Sequence, residues 1–323
     1  MTTQLQNRCD QLIQMYREIS KAEFWNYGRV SLATAGLYLT AGKPLDVARI
    51  KECRELLHSM TGFLSDFRQH SEYIICSKLA MQNDPEAYFE RLSDIYKKVL
   101  PGKIKIGDER AILAAILLAD LHTEAERETA IADTKALYKM MKDAHRFLTG
   151  GEDIPYAALM ALSKWSIDEV FDRAESAFRI LKKDFRAKQD AIQALSHILS
   201  VCDGGVEALC ENACRLYAPL RPTLGTDLNA ACLGALAGMG ADAGDLAAQV
   251  QEADQYLKQH DPFKGFFGIN NSDRCLYAVL CTESALADPE AAARSAILTA
   301  TVQITALIID QAVTNAIVIS SVT

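Results

Sequence analysis

Asp168-Glu169-Val170-Phe171-Asp172-Arg173-Ala174-Glu175-Ser176-Ala177-Phe178-Arg179-Ile180-Leu181-Lys182-Lys183 is the stretch whose reading decides the fold. Val170, Ala174, Ala177 and Leu181 follow at spacings of four, three and four, which puts them on one face of a helix and leaves the charges on the other. The stretch closes on Ile180, Leu181 and two lysines. Related endings recur at Tyr96-Lys97-Lys98, Tyr138-Lys139, Tyr217 and Tyr256-Leu257-Lys258, so the steps between corresponding positions are 42, 42, 37 and 39 residues. Self-similarity at that period predicts stacked antiparallel helix pairs, because one pair alone cannot bury its apolar face. The expected fold is all-α, an α-solenoid or α/α-toroid-like repeat array. It is expected to occupy residues 1–323 as a single all-helical domain, with a division into parts 1–105 and 106–323 as the alternative.

Outward from this stretch the same spacing recurs. Residues 4–19 read as an amphipathic helix, followed by the aromatic cluster Phe24, Trp25 and Tyr27, which is expected to anchor it. Helices near 29–40 and 45–67 form a first pair around the turn Ala41-Gly42-Lys43-Pro44. A short helix over 72–81 stops at Asn83-Asp84-Pro85, and the next carries Tyr88, Leu92, Ile95 and Val99. Residues 110–121 are apolar nearly all round, as an inner helix is, and their outer partner carries Ile131, Tyr138, Met141, His145 and Leu148. Three further pairs are expected: 156–164 with 168–183, 189–201 with 206–217, and 228–239 with 246–258. The segment from His260 to Asn271 mixes Gly, Pro and Asn with three Phe and reads as an ordered, packed loop. Residues 296–322 form the most apolar stretch, yet Thr299, Gln303, Asp310, Thr314 and Ser321 share a helix face. Asp310 alone would cost about 2.5–3.5 kcal/mol at a bilayer centre, so this helix is expected to cap the array rather than cross a membrane.

Composition narrows the function. A formal net charge of -8 and the lack of a basic patch argue against a nucleic-acid partner. No signal peptide is readable, and nine cysteines placed mainly in apolar helices fit reduced thiols in the cytoplasm. Cys210 and Cys214 with Cys202 lack a zinc spacing, and neither a metal nor another cofactor is expected. Phosphate-loop, nucleophile-elbow, zinc-helix and calcium-loop signatures are all missing. His260-Asp261 beside Pro262 reads as a turn.

The segment Lys142-Asp143-Ala144-His145-Arg146-Phe147-Leu148-Thr149-Gly150-Gly151-Glu152-Asp153-Ile154-Pro155 carries the most chemistry. Gly150 and Gly151 are expected to supply the positive φ that ends one helix, and Asp153 with Pro155 to start the next. Backbone N–H groups there, beside His145 and Arg146, suit a small anion or a carbonyl group; the competing reading is ordinary helix punctuation with a core histidine. His197, in Leu195-Ser196-His197-Ile198-Leu199, lies in an apolar inner helix and needs a hydrogen-bond partner. Two histidines and a carboxylate would suffice for a metal with open positions if adjacent pairs brought them together.

Lys142-x-x-His145-x-Phe147-Leu148-Thr149-Gly150-x-x-Asp153, followed by Leu195-Ser196-His197-Ile198-Leu199 in an all-helical chain, resembles the bacterial family known as domain of unknown function 4003. The family has no assigned activity. The resemblance implies a cytoplasmic bacterial protein and directs attention to His145, Thr149, Asp153 and His197. Two functions follow as expectations. One is a binding or scaffold protein for a peptide, protein or small-molecule ligand, contacted through His145, Arg146, Thr149, Asp153 and His197. The other is a hydrolase-type enzyme with its site around His145, Thr149, Asp153 and His197.

Overall fold

The computed structural model describes residues 1–22, 28–69, 71–99, 109–121, 123–265 and 269–286. The aromatic cluster Phe24, Trp25 and Tyr27, the Phe266-Phe267-Gly268 part of the long loop, and the apolar stretch 296–322 lie outside the described residues. Fourteen α-helices are described: α1 (Thr3–Lys21), α2 (Gly28–Ala41), α3 (Val47–Met60), α4 (Glu72–Ala80), α5 (Pro85–Val99), α6 (Glu109–Ala119), α7 (Glu124–Ala144), α8 (Ile154–Ala161), α9 (Ile167–Asp184), α10 (Gln189–Val201), α11 (Val206–Leu224), α12 (Leu233–Ala237), α13 (Ala243–Leu257) and α14 (Asn271–Leu286). Three 3-10 turns, Asp66–Arg68, Gly151–Asp153 and Leu228–Cys232, complete the regular structure, and no strand occurs among the described residues. The fold is all-α.

The helices sort into two layers by how much of their circumference is apolar. In α9 only a stripe is buried, Val170, Ala174, Ala177, Phe178 and Leu181, so its other faces meet solvent. Along α8 every residue from Ile154 to Met160 is buried, and along α10 every residue from Ala191 to Val201. Such helices fit only inside. Odd-numbered helices form the outer layer and even-numbered ones the inner. Starts are set by local chemistry: Thr123 with Glu126, and Ser166 with Glu169, form reciprocal capping boxes at the head of α7 and α9.

Outer helices pack chiefly on the inner helix that follows them, as α7 does on α8 and α9 on α10; α11 is the exception, meeting outer α13 more than the short α12. The sequence expectation had paired inner with following outer helix, α8 with α9 and α10 with α11, and had joined α2 to α3. The structure shifts this register by one. Periodicity identifies which side chains are apolar but not which neighbour they face; packing of α10 on α9 is the far more extensive. Close approach between inner helices relies on small residues. A Cβ at Gly234 would lie 2.5 Å from Ile198 Cγ2 of α10.

The array closes on itself. The first helices meet the last, α1 packing on α13 and α14, and α2 on α14. Tyr256 Oη donates to Asp10 at 2.6 Å across this seam, and Arg29 pairs with Asp273. Buried Arg274 forms a two-pronged pair with buried Asp254 beneath it, at 2.9 and 3.0 Å.

Three element boundaries differ from expectation. The helix foreseen over 45–67 stops at Met60; the Thr61 hydroxyl donates back to Leu57 O, and Phe63 and Leu64 stand exposed. Residues 228–239 split into a 3-10 turn and the short α12. Conversely α11 runs past Tyr217 to Leu224 through Pro219 and Pro222. An interior proline costs about 3 kcal/mol, but both lie on the exposed side, while Leu216, Leu220 and Leu224 continue the buried stripe at every fourth residue.

Candidate functional site

The 142–155 segment joins outer α7 to inner α8. Helix α7 ends at Ala144, and His145 is its C-cap, donating its N–H to Met141 O at 2.8 Å. The imidazole swings onto α9. Its Nε2 lies 2.8 and 3.0 Å from the two oxygens of Glu175, and its ring centroid is 4.8 Å from that of Phe178. A carboxylate only accepts, so Nε2 carries the proton. Gly150 has φ -127°, not the positive value expected, because the chain leaves α7 through an extended residue rather than a left-handed turn.

Asp153 also departs from expectation. Its carboxylate does not cap α8 forward; Oδ2 accepts backward from the Gly150 N–H at 2.8 Å. Thr149 is buried and ties three elements together. Its hydroxyl donates to Met141 O at 3.1 Å and accepts from Gln193 Nε2 of α10 at 3.1 Å, while Lys142 Nζ donates to its carbonyl. Gln193 and His197 are one turn apart and share a face of α10. His197 lies against Tyr156 of α8, ring centroids 5.8 Å apart. Tyr156 in turn follows Asp153 by three residues. The structure thus gathers Thr149, Asp153, Tyr156, Gln193 and His197 between α8 and α10. His145 sits at the edge on Glu175, and Arg146 is exposed and outside the cluster, as is Phe147 beside it.

The cluster is incompletely paired. Neither Tyr156 Oη nor His197 Nδ1, both buried, has a hydrogen-bond partner among the described residues. Burial pushes the Asp153 carboxyl up to about 7; the Gly150 N–H opposes the shift, and the nearby charges of Glu152 and Asp190 reinforce it. Burial, then the charge of His145, holds His197 down at about 3, so it is a neutral imidazole at physiological pH. Burial, then Asp153, raises the Tyr156 hydroxyl, which keeps its proton. The arrangement offers a neutral imidazole, a phenol and a carboxyl poised near neutrality in one water-poor place.

A sequence model of the family described as a protein of unknown function (DUF4003) matches residues 15–313. The chain belongs to this family. It is also 21% identical over 223 residues to an uncharacterized protein, YeaA, of Bacillus subtilis (strain 168), an alignment that takes in 67% of the chain. The chain spans 66% of the length of that relative. No solved structure matches it. Among the described residues of this DUF4003 protein, no three His, Cys, Asp or Glu side chains converge as metal ligands would, and His145, Asp153 and His197 make no such set. No described helix is long and apolar enough to cross a membrane.

Tyr156, Gln193 and Glu175 escaped the sequence reading. Gln193 was within reach of it, one helical turn before His197. Tyr156 was visible only as the start of an apolar helix, and Glu175 lies on the charged face of α9 with no local signal.

Proposed function

We propose that this chain is a binding protein that takes a small polar ligand between α8 and α10. The observation that carries the reading is the pair of buried, unpartnered atoms Tyr156 Oη and His197 Nδ1 on adjacent inner helices. A buried polar atom without a partner costs about 1–3 kcal/mol, and a ligand hydroxyl or amide group would offset that cost for both. Their burial favours a small molecule over a peptide or protein, and the net charge of -8 speaks against nucleic acid. Reading residues 1–323 as one helical-repeat unit is supported by the contact of the first helices with the last. Placement in the cytoplasm is supported by nine free cysteines.

The hydrolase reading has one observation of its own, the Asp153 carboxyl near 7, the range of a general acid or base at neutral pH. In that reading Asp153 moves the proton, His197 and Tyr156 orient the substrate, and His145 with Thr149 holds the loop in place. Mass spectrometry of small molecules released on denaturing the purified full chain tests the binding reading. A species carried by wild type and missing from the Y156F/H197F double variant is expected. No released species from either protein would overturn it.

A further inference from the structure

The outer layer is not evenly packed. Helix α1 rests on α2, α13 and α14, and α3 on α4 and α5, but α1 and α3 share no substantial contact. A groove of about 470 Å³ opens along α1 in front of the turn that leads into α3. That size suits a small organic molecule. One wall is α1, through Arg8, Gln11 and Met15; the other is the end of α2 and the turn, through Leu39, Lys43 and Leu45. The turn is held open at Gly42, whose φ is 60° and where a Cβ would meet nothing within 4 Å.

The lining is polar at its edges and apolar beneath. Arg8 and Lys43 bring two cations against one carboxylate, Glu18, which already accepts from Gln14 at 2.9 Å. Glu18 lies ten residues after Arg8, on the order of 15 Å along the helix axis, so the arginine end of the groove is cationic. Met15, Leu39 and Leu45 are apolar. Tyr38, in the same wall and only 2% exposed, has a hydroxyl with no partner among the described residues. Gln11 accepts from Arg8 Nη1 at 3.0 Å, which orients the guanidinium.

We propose that this groove binds a small organic carboxylate, its charged group on Arg8 and Lys43 and its apolar body on Met15, Leu39 and Leu45. This site is separate from the α8–α10 cluster and stands without it. Isothermal titration of the full chain with octanoate, with octan-1-ol as the uncharged control, tests it. Saturable binding of octanoate is expected, with octanol weaker. The R8Q/K43Q variant should lose about ten-fold in octanoate affinity, one decade being the worth of a modest charge contact, while its octanol binding and unfolding midpoint stay unchanged. M15W, which fills the groove, should remove both, and Y156F/H197F should bind octanoate as wild type does. Absence of saturable octanoate binding, equal affinity for octanol, or an unchanged affinity in R8Q/K43Q would each overturn the proposal.

Discussion

Asp254 and Asp153 are buried to the same degree, 5% and 4% exposed, and are treated in opposite ways. Between α13 and α14, both oxygens of Asp254 meet the guanidinium of Arg274, whose remaining nitrogen donates to Asn271 at 2.9 Å. Between α8 and α10, Asp153 has a single backbone donor, and two neighbouring polar atoms have none. A buried charge that is fully met holds two helices in register. One left half-met lowers stability, and proteins accept such groups where a site needs them. The Asp254–Arg274 pair ties α13 to α14, whereas the half-met cluster is what the proposed ligand site rests on.

Breaking the pair between α13 and α14 should have the largest effect. R274M leaves Asp254 buried and unpaired, with an expected loss of about 3–5 kcal/mol in urea unfolding at pH 7; the apolar pair D254L/R274M should recover most of it. A loss no larger than that of a surface substitution would erase the contrast between the two carboxylates.

Next comes D153N, read against pH. The folded Asp153 titrates near 7 and the unfolded one near 3.8, so its contribution is complete below about pH 4 and is lost as pH rises through 7. The stability of D153N relative to wild type should therefore grow between pH 4 and pH 8, by about 2–4 kcal/mol at the upper end. His197 has the opposite sign. It stays neutral in the fold and protonates near 6.5 when unfolded, so its contribution is present above 6.5 and fades as pH falls toward 3. H197F should flatten that acid limb. A pH-independent difference for D153N would mean that its carboxyl is as well met as that of Asp254.

The smallest effect is expected of Y156F. Removing a buried hydroxyl that lacks a partner should stabilise the chain by about 1–3 kcal/mol, seen as a raised urea midpoint. Destabilisation would show that the hydroxyl is bonded and the cluster structural.

The all-α class and the split into inner and outer helices were legible, because a helix apolar all round, such as α10, and a striped one, such as α9, differ in composition alone. Pairing was not, since each inner helix is apolar toward several neighbours and nothing local in the sequence ranks them. At α11 the sequence reading ends at residue 217, and the continuation through Pro219 and Pro222 is visible only once their exposed positions and the buried Leu216, Leu220 and Leu224 are seen together. For the cluster, His145, Thr149, Asp153 and His197 were named, but His145 bonds to Glu175 rather than to the others. What joins Thr149 to His197 is Gln193, and what joins Asp153 to His197 is Tyr156; neither residue type announces a site.

The seam also sets an order of events during synthesis. Asp10 and Tyr256, bonded in the finished ring, are separated by 246 residues of chain. A ribosome adding about 5–20 residues each second makes the second on the order of ten to fifty seconds after the first. Throughout that interval the side of α1 destined for α13 and α14 lacks those two neighbours, so the first made of the described helices is among the last to be covered, and it is the stretch that a chaperone at the exit tunnel should hold longest.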